Sequence, residues 1–196
     1  MSLTKQAKTL NKNQIDAVRG YLRGRRNGLR NDTMFLLSVK AGLRAKEIAS
    51  LKWTMVVDAE GQIGDFINLT NDASKGNSSG RAIPIHKEIK KNLAEMLDLG
   101  KVDVKNDYVI TSERSKSVSS QVVINFFHNL YKKLGLTGCS SHSGRRTFIT
   151  DVSRKISSVG GSLRDVQYLA GHSNLQTTQR YIEASSAAKR KVILLI

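Results

Sequence analysis

The chain has 196 residues, of which 39% are hydrophobic and 24% charged, an ordinary balance for a globular protein and one that argues against disorder. Lysine and arginine outnumber aspartate and glutamate by 32 to 16, and the resulting net charge of +16 is most simply explained by a polyanionic partner such as nucleic acid. No apolar run approaches the roughly 20 residues of a membrane-spanning helix and there is no signal peptide, so we expect a cytoplasmic protein without a membrane partner.

The first quarter of the chain carries apolar residues at helical spacing among many basic ones. This pattern predicts a basic amphipathic helix over 11–26, which Gly28 interrupts. A second helix is expected from Thr33 to a stop at Gly42. A third helix is expected over 43–53.

The middle of the chain changes to strand character. Segments 63–70 and 81–85 flank a stretch rich in glycine, asparagine and serine at 76–80. They predict a small antiparallel hairpin or a three-stranded sheet. Pro84 suits an edge strand, because proline cannot donate a hydrogen bond to a neighbouring strand. A further short strand is predicted near Tyr108.

The second half of the chain is again helical in pattern, and its strongest periodicity follows Ser119. The predicted helices cover 89–97, 123–134, 145–156, 162–170 and 174–187. The expected fold class is therefore mainly α with a small antiparallel β-sheet, an α+β arrangement. We divide the chain into an N-terminal extension over 1–10, one domain over 11–187 and a C-terminal tail over 188–196.

Four polar residues between Ser141 and Ile182 have the chemistry to grip and attack a phosphate. His142 and Arg145 lie three residues apart, so they share a helix face. His172 and Tyr181 lie further along the same stretch. Breaking a phosphodiester without a metal needs a nucleophile, positive charge for the non-bridging oxygens and a proton donor for the leaving oxygen. A tyrosine phenol and an arginine fork meet the first two requirements.

A metal ion or another cofactor is not expected. The histidines do not fall at the spacings of zinc ligands, and the single cysteine argues against a thiolate site and excludes an intramolecular disulfide.

Three motifs together resemble the tyrosine recombinase (phage integrase) family over roughly residues 9–187. The resemblance implies the fold of that family's catalytic domain and site-specific cleavage and rejoining of DNA through a 3′-phosphotyrosyl intermediate, without metal or ATP. The motifs are Ala41-Gly-Leu-Arg44-Ala-Lys-Glu47-Ile, His142-x-x-Arg145-Arg-Thr-Phe and Leu169-Ala-Gly-His172-x-x-x-x-Thr-Thr-x-x-Tyr181.

The resemblance also implies a role for each motif residue. Arg44 and Arg145 would clamp the scissile phosphate, and Tyr181 would attack it. His142 would assist proton transfer at the nucleophile. His172 would donate a hydrogen bond to the phosphate oxygens in the transition state.

Two further residues complete the implied site. Lys75, just before the loop of the predicted hairpin, resembles the family's general acid for the 5′-oxygen, with Lys52, Arg81 and Lys87 as alternatives because the loop aligns loosely. Glu47, one helical turn after Arg44, would orient the residues that contact the phosphate without contacting it itself.

The expected partners are duplex DNA and, during recombination, a tetramer of the chain, since exchange of two duplexes requires four active sites. Family members commonly carry a separate helical domain before the catalytic one, so the chain is either a fragment or a minimal recombinase. The alternatives are a non-catalytic DNA-binding accessory protein of the same fold and an enzyme like type IB topoisomerases. Residues expected to contact DNA phosphates are Arg19, Arg23, Arg25, Arg26, Arg30 and Arg146.

Overall fold

Helices and one pair of strands form the regular structure of the described residues. The structure is a computed structural model and describes residues 6–73, 80–100, 102–181 and 193. The helices are α1 (Lys12–Arg23), α2 (Gly28–Lys40), α3 (Ala45–Ala49), α4 (Lys87–Asp98), α5 (Ser120–Lys133), α6 (Ser143–Lys155), α7 (Leu163–Ala170) and α8 (Leu175–Gln179). The strands are β1 (Phe66–Leu69) and β2 (Arg81–Pro84).

The turn between α1 and α2 corrects the predicted start of the second helix. That helix begins at Gly28 rather than at Thr33. Asn27 adopts a left-handed conformation with φ of 57°, which reverses the chain directly after α1. A β-carbon at Gly28 would stand 2.9 Å from the carbonyl oxygens of Leu22 and Arg23, so glycine allows α2 to start against the end of α1.

The predicted third helix is much shorter than its sequence pattern. α3 ends at Ala49, and a 3-10 turn follows over Trp53–Met55. Between them the backbone pairs with a distant segment, since Val109 N–H donates to the Leu51 carbonyl at 2.8 Å. The apolar residues after Ala49 are therefore buried by extended backbone pairing with that segment and not by a continuation of the helix, which their periodicity had predicted.

The strands pair as an antiparallel hairpin with Ile67 opposite Ile83, so of the two expected arrangements the described residues show the two-stranded one. Both isoleucines are fully buried, whereas Phe66 on the alternate face is 49% exposed. Pro84 lies at the end of β2, in a strand with a single partner. The predicted strand near Tyr108 is reduced to one isolated bridge to Lys52.

Helix α2 forms the centre of the core. Three consecutive residues of α2, Phe35 to Leu37, have no exposed surface, and the helix contacts α1, α4 and α6. α3 packs on α5, while α6 and α7 share a smaller apolar cluster around Ile149 and Val166. Ser38, near the C-terminal end of α2, lies against Gly144 of α6, so this end of α2 faces the segment that contains the predicted catalytic residues.

The contact between α2 and α6 depends on Gly144. A β-carbon there would stand 2.4 Å from the Ser38 hydroxyl oxygen, closer than any side chain tolerates. α6 begins at Ser143, two residues earlier than predicted. Glycine in its first turn thus allows the start of α6, including Arg145, to lie against α2.

The C-terminal part of the chain is only partly described. α8 ends at Gln179, and the remainder of the helix predicted over 174–187 and nearly all of the tail over 188–196 lie outside the described residues. Lys75 also lies outside them. Within the described part of the chain, no helix is long and apolar enough to cross a membrane.

Candidate active site

The C-terminal turn of α7 is the centre of the site. Its last carbonyl groups lack helical partners and carry the negative end of the helix dipole. Three arginines from three different elements donate to three successive carbonyls there. The contacts are Arg81 Nε to the Leu169 oxygen at 2.9 Å, Arg145 Nη2 to the Ala170 oxygen at 2.5 Å, and Arg44 Nη2 to the Gly171 oxygen at 2.9 Å.

Arg145 is a buried cation in this cluster. The residue is 4% exposed, and its Nη1 donates to the Gly42 carbonyl at 2.6 Å. Burial, and then the positive charge of Arg44, lower the pKa of Arg145 to about 9, which leaves it charged near neutral pH. Among the described residues no carboxylate forms an ion pair with it. Its charge is therefore available to an anionic ligand.

Arg44 precedes α3 and is held by Glu47. The Arg44 backbone N–H donates to Glu47 Oε2 at 2.8 Å, and its Nη1 donates to Oε1 at 2.8 Å. The side chain of Glu47 has no exposed surface, whereas that of Arg44 is 23% exposed. Burial opposes ionisation of Glu47, but hydrogen bonds and positive charge from Arg81 and Arg44 outweigh it and lower its pKa. The exposed part of the Arg44 guanidinium can therefore reach a ligand while Glu47 holds the Arg44 backbone N–H and Nη1 in place.

Arg81 is a residue of the site that motif reasoning missed, since it was considered only as an alternative to Lys75. It lies on β2 with its side chain 2% exposed, and it donates to both Glu47 oxygens at 3.0 and 3.2 Å. One signal could have identified it. Arg81 is two residues from Ile83, so an arginine occupies the inward face of a strand whose other inward residue is apolar.

His172 lies between α7 and α8. Its Nδ1 lies 2.9 Å from the hydroxyl of Thr178, a fully buried residue, which leaves Nε2 as the nitrogen that can face a ligand. Burial, and then the charges of Arg145, Arg44 and Arg81, lower the pKa of His172 to about 4. The imidazole is therefore neutral at pH 7.

Tyr181 lies inside the site. Its ring stacks on the imidazole of His172 with centroids 5.6 Å apart and an interplanar angle of 23°. It also lines a cleft of about 390 Å³ with His142, at the start of α6, and with Arg145. The remaining residues of the cleft are Gln6, Ala7, Ser140, Arg146, Thr177 and Arg180.

The structure thus brings together most of the motif residues. Arg44, His142, Arg145, His172 and Tyr181 come from four separate parts of the chain and meet around one cleft and the adjoining end of α7. The described residues contain no cluster of three or more histidine, cysteine, aspartate or glutamate side chains that could hold a metal ion.

Arg19 is placed differently from the expectation that it contacts DNA. It is 8% exposed, with Nε 2.9 Å from Asp32 Oδ1 and a second ion pair to Glu88. Asn92 also donates to Asp32 at 3.0 Å, so Arg19 belongs to a buried polar network inside the helical body. This placement corrects the prediction that Arg19 contacts a DNA phosphate, because its side chain is buried and its charge is paired with Asp32 and Glu88.

The other basic residues that were expected to contact DNA are more accessible. The side chain of Arg23 is 61% exposed, Arg25 lies over the Tyr21 ring, and Arg26 forms an exposed ion pair with Glu113. Arg30 is half-buried, and burial lowers its pKa. These residues lie near the N-terminal end of α2, about 20 Å from its active-site end at a rise of ~1.5 Å per residue. Arg146, in contrast, lines the cleft beside Tyr181.

Comparison with known sequences shows a consistent relationship. The sequence pattern of the phage integrase family matches residues 8–188. Tyrosine recombinase XerC of Staphylococcus carnosus is 29% identical over 174 residues, which cover 85% of this chain and 53% of that protein. XerC of Lactobacillus leichmannii is 30% identical over 163 residues, 80% of this chain and 51% of that protein. The chain spans about half the length of the curated relatives it matches.

Solved structures share the fold. The Tn1549 transposon integrase, in complex with a circular intermediate DNA, aligns with a TM-score of 0.75 and 18% identity, over 99% of this chain and 67% of that one. The XerA recombinase aligns with a TM-score of 0.72 and 24% identity, over all of this chain and 65% of that one. The predicted fold class, mainly α with a small antiparallel sheet, is thereby confirmed.

Proposed function

The chain belongs to the phage integrase family of tyrosine recombinases, and from this premise we propose that it cleaves and rejoins DNA strands at specific sites. One observation carries the proposal. Two arginines, one of them a buried cation without a carboxylate partner among the described residues, lie with a tyrosine and two histidines around one cleft and the adjoining end of α7. Such an arrangement suits a phosphodiester anion and a phenol that attacks it.

In the proposed reaction the phenolic oxygen of Tyr181 attacks the scissile phosphorus. A bond forms between the Tyr181 oxygen and phosphorus while the bond to the 5′-oxygen breaks, and that oxygen leaves with the bonding electrons and takes up a proton. The phosphate keeps its ester bond to the 3′-oxygen, so the product is a 3′-phosphotyrosyl ester. Attack by a 5′-hydroxyl reverses these bond changes. The phosphotyrosyl ester conserves the energy of the broken bond, so rejoining needs no ATP.

Charge stabilisation falls to the arginines. Negative charge develops on the non-bridging oxygens as the tyrosine attacks, and Arg44 and Arg145 supply fixed donors already anchored to backbone carbonyls. They thereby provide the positive charge that a divalent cation provides in other phosphoryl-transfer sites. Because their side chains are held in place before DNA arrives, little reorganisation is required at the moment of reaction.

Two of the three remaining residues transfer protons, and the third, His172, donates a hydrogen bond. His142, exposed at the mouth of the cleft, takes the phenolic proton of Tyr181. His172, neutral and held by Thr178, offers Nε2 to a non-bridging oxygen. The general acid for the 5′-oxygen is Lys75, an assignment that rests on the resemblance alone.

The proposed partners are duplex DNA and further copies of the chain. The Tn1549 integrase was solved with DNA, and the net charge of +16 on this chain favours a polyanion. Exchange between two duplexes requires four cleavage events, so we propose a tetramer on DNA during the reaction. Light scattering of the recombining complex should give four chains, and full recombination by a complex of fewer chains would refute this assembly.

A covalent adduct tests the enzymatic proposal. The probe is a pool of duplexes with randomised sequence and a nick placed so that the released fragment diffuses away and prevents rejoining. Wild-type protein should form an adduct that survives detergent, and Tyr181→Phe should form none because it lacks the attacking oxygen. Tyr21→Phe, a matched change on α1 outside the cleft, should retain the adduct.

Other outcomes of this experiment separate the alternatives. DNA binding without an adduct would favour the non-catalytic accessory protein. Adducts spread over unrelated sequences, together with relaxation of supercoiled plasmid, would favour an enzyme like type IB topoisomerases. The curated relatives are recombinases, and no observation favours either alternative.

A further inference from the structure

Arg81 joins three elements that meet behind the cleft. Arg81 lies on β2. Its two terminal nitrogens donate to Glu47 in α3, and its Nε donates to the carbonyl of Leu169 in α7 at 2.9 Å. The side chain is 2% exposed, and it does not line the cleft that contains Tyr181. Its guanidinium is therefore placed to act on other residues of the site and not on DNA.

Glu47 transmits this contact to Arg44. Each Glu47 oxygen accepts from both arginines: Oε1 from Arg81 at 3.0 Å and from Arg44 Nη1 at 2.8 Å, and Oε2 from Arg81 at 3.2 Å and from the Arg44 backbone at 2.8 Å. The carboxylate is fully buried, so its position depends on these donors. Displacement of Arg81 would shift Glu47 and, with it, the guanidinium of Arg44.

Arg81 is itself held tightly. A β-carbon at Gly171 would stand 2.6 Å from Arg81 Nη1, so the guanidinium packs directly against the end of α7. The neighbouring Ala82 N–H donates to the Tyr168 hydroxyl at 3.2 Å, which fastens β2 to the same helix. This packing limits the movement of the guanidinium and hence of the carboxylate that it contacts.

We propose that Arg81 is a positioning residue for cleavage, which fixes Arg44 through Glu47 in the orientation that the scissile phosphate requires. The proposal rests on the proposed function and adds to it a residue outside the three motifs. The planar fork of arginine explains the choice of side chain. Lysine carries the same charge but cannot direct three donors in one plane to two carboxylate oxygens and a carbonyl.

The test compares single-turnover cleavage by wild type, Arg81→Gln and Arg81→Lys on the nicked duplex selected by adduct formation. A misplacement of about 1 Å costs on the order of 100-fold in rate, so Arg81→Gln should lose about that factor, with Arg81→Lys intermediate. DNA affinity should equal that of the control Arg164→Gln, which removes the same charge from an exposed position on α7. Wild-type cleavage rates in both variants would overturn the proposal.

A second substrate distinguishes positioning of Arg44 from a general structural effect. A methylphosphonate at the scissile position removes the negative charge that Arg44 neutralises, so the deficit of Arg81→Gln relative to wild type should shrink, as it should for Arg44→Ala. An equal deficit on both substrates would show that Arg81 does not act through Arg44.

If Arg81→Gln does not fold, as judged by its thermal transition, Glu47→Gln tests the same link and should show the same substrate dependence. Absence of an adduct with the wild-type chain would refute the proposed function, whereas adduct formation with no effect of these variants refutes only the role of Arg81.

Discussion

At the scale of single residues, the site is organised around charges that are buried before any substrate binds. Arg145 retains a positive charge against desolvation and against Arg44, and its contacts are backbone carbonyls. A phosphate would relieve this repulsion, since it would supply the counter-charge. Phosphate binding and protonation of the neighbouring groups should therefore favour each other.

His172 provides a measurable consequence. Its folded pKa of about 4 is below the ordinary value of 6.5, so between these values the unfolded chain binds a proton that the folded chain does not. The contribution of His172 to stability is thus complete above about pH 6.5 and is lost as the pH falls toward 4. Binding of a scissile duplex should raise this pKa.

NMR titration of ring-labelled histidine checks this prediction, with the His172 signal assigned by its loss in His172→Asn. A free-protein midpoint near the ordinary value, or no upward shift with DNA bound to Tyr181→Phe protein, would contradict it. The inactive variant keeps the duplex uncut during the measurement.

Sequence motifs located much of the site at this scale. The spacings of the histidine, arginine and tyrosine motifs selected residues that the structure brings to one cleft and the adjoining end of α7. They could not identify Arg81, because its partners Glu47 and Leu169 are 34 and 88 residues away along the chain. The same limit explains Arg19, since a basic helix face does not reveal a carboxylate that folds over it from another helix.

At the scale of elements, the close approach of α6 to α2 depends on one missing side chain. Gly144→Ala would place a methyl group 2.4 Å from Ser38 Oγ, so the helices must separate or Ser38 must move. Overpacking of this kind costs about 1–3 kcal/mol, which exceeds the helix-propensity gain of about 1 kcal/mol. We expect a net loss of stability and, because Arg145 follows directly, slower cleavage.

Urea denaturation measures the stability change, and Gly20→Ala is the matched control. Gly20 lies in α1, and a β-carbon added to it would have no other atom within 4 Å, so alanine there should stabilise the protein by up to about 1 kcal/mol. Equal stabilisation by both substitutions would mean that α6 does not need the glycine for its approach.

Helix existence was easier to predict than helix ends. Apolar periodicity identified α4, α5 and α7 to within a few residues, because each buries one continuous face. It misplaced the start of α2, where Asn27 reverses the chain in a left-handed conformation. It also overextended α3, since burial of Leu51 by backbone pairing with a remote segment leaves no local signal.

At the scale of the whole molecule, the net charge of +16 should dominate DNA affinity. Each phosphate neutralised by a lysine or arginine contributes about −0.9 to the slope of log affinity against log salt. A chain that holds DNA largely by charge should therefore lose affinity steeply as salt rises, a loss measurable by fluorescence anisotropy. A flat salt dependence would show that charge is not the main source of affinity.

The exposed arginines allow this slope to be divided. If the residue contacts a phosphate, Arg25→Gln and Arg146→Gln should each reduce the magnitude of the salt slope by about 1, the share of one phosphate contact. Arg19→Gln is unsuitable for this purpose, because loss of its ion pairs with Asp32 and Glu88 would destabilise the helical body instead. The measurement thus shows separately whether Arg146, in the cleft, and Arg25, near the N-terminal end of α2, contact DNA phosphates.

The three carbonyls at the end of α7 have a consequence for sequence variation. Every amino acid supplies a backbone carbonyl, so positions 169 and 170 can change their side chains without removing an acceptor from Arg81 or Arg145. Only packing restricts those positions, whereas φ of 59° and contact with Arg81 restrict Gly171 to glycine. The electrostatic framework of the site can therefore persist in homologues whose side chains there have diverged.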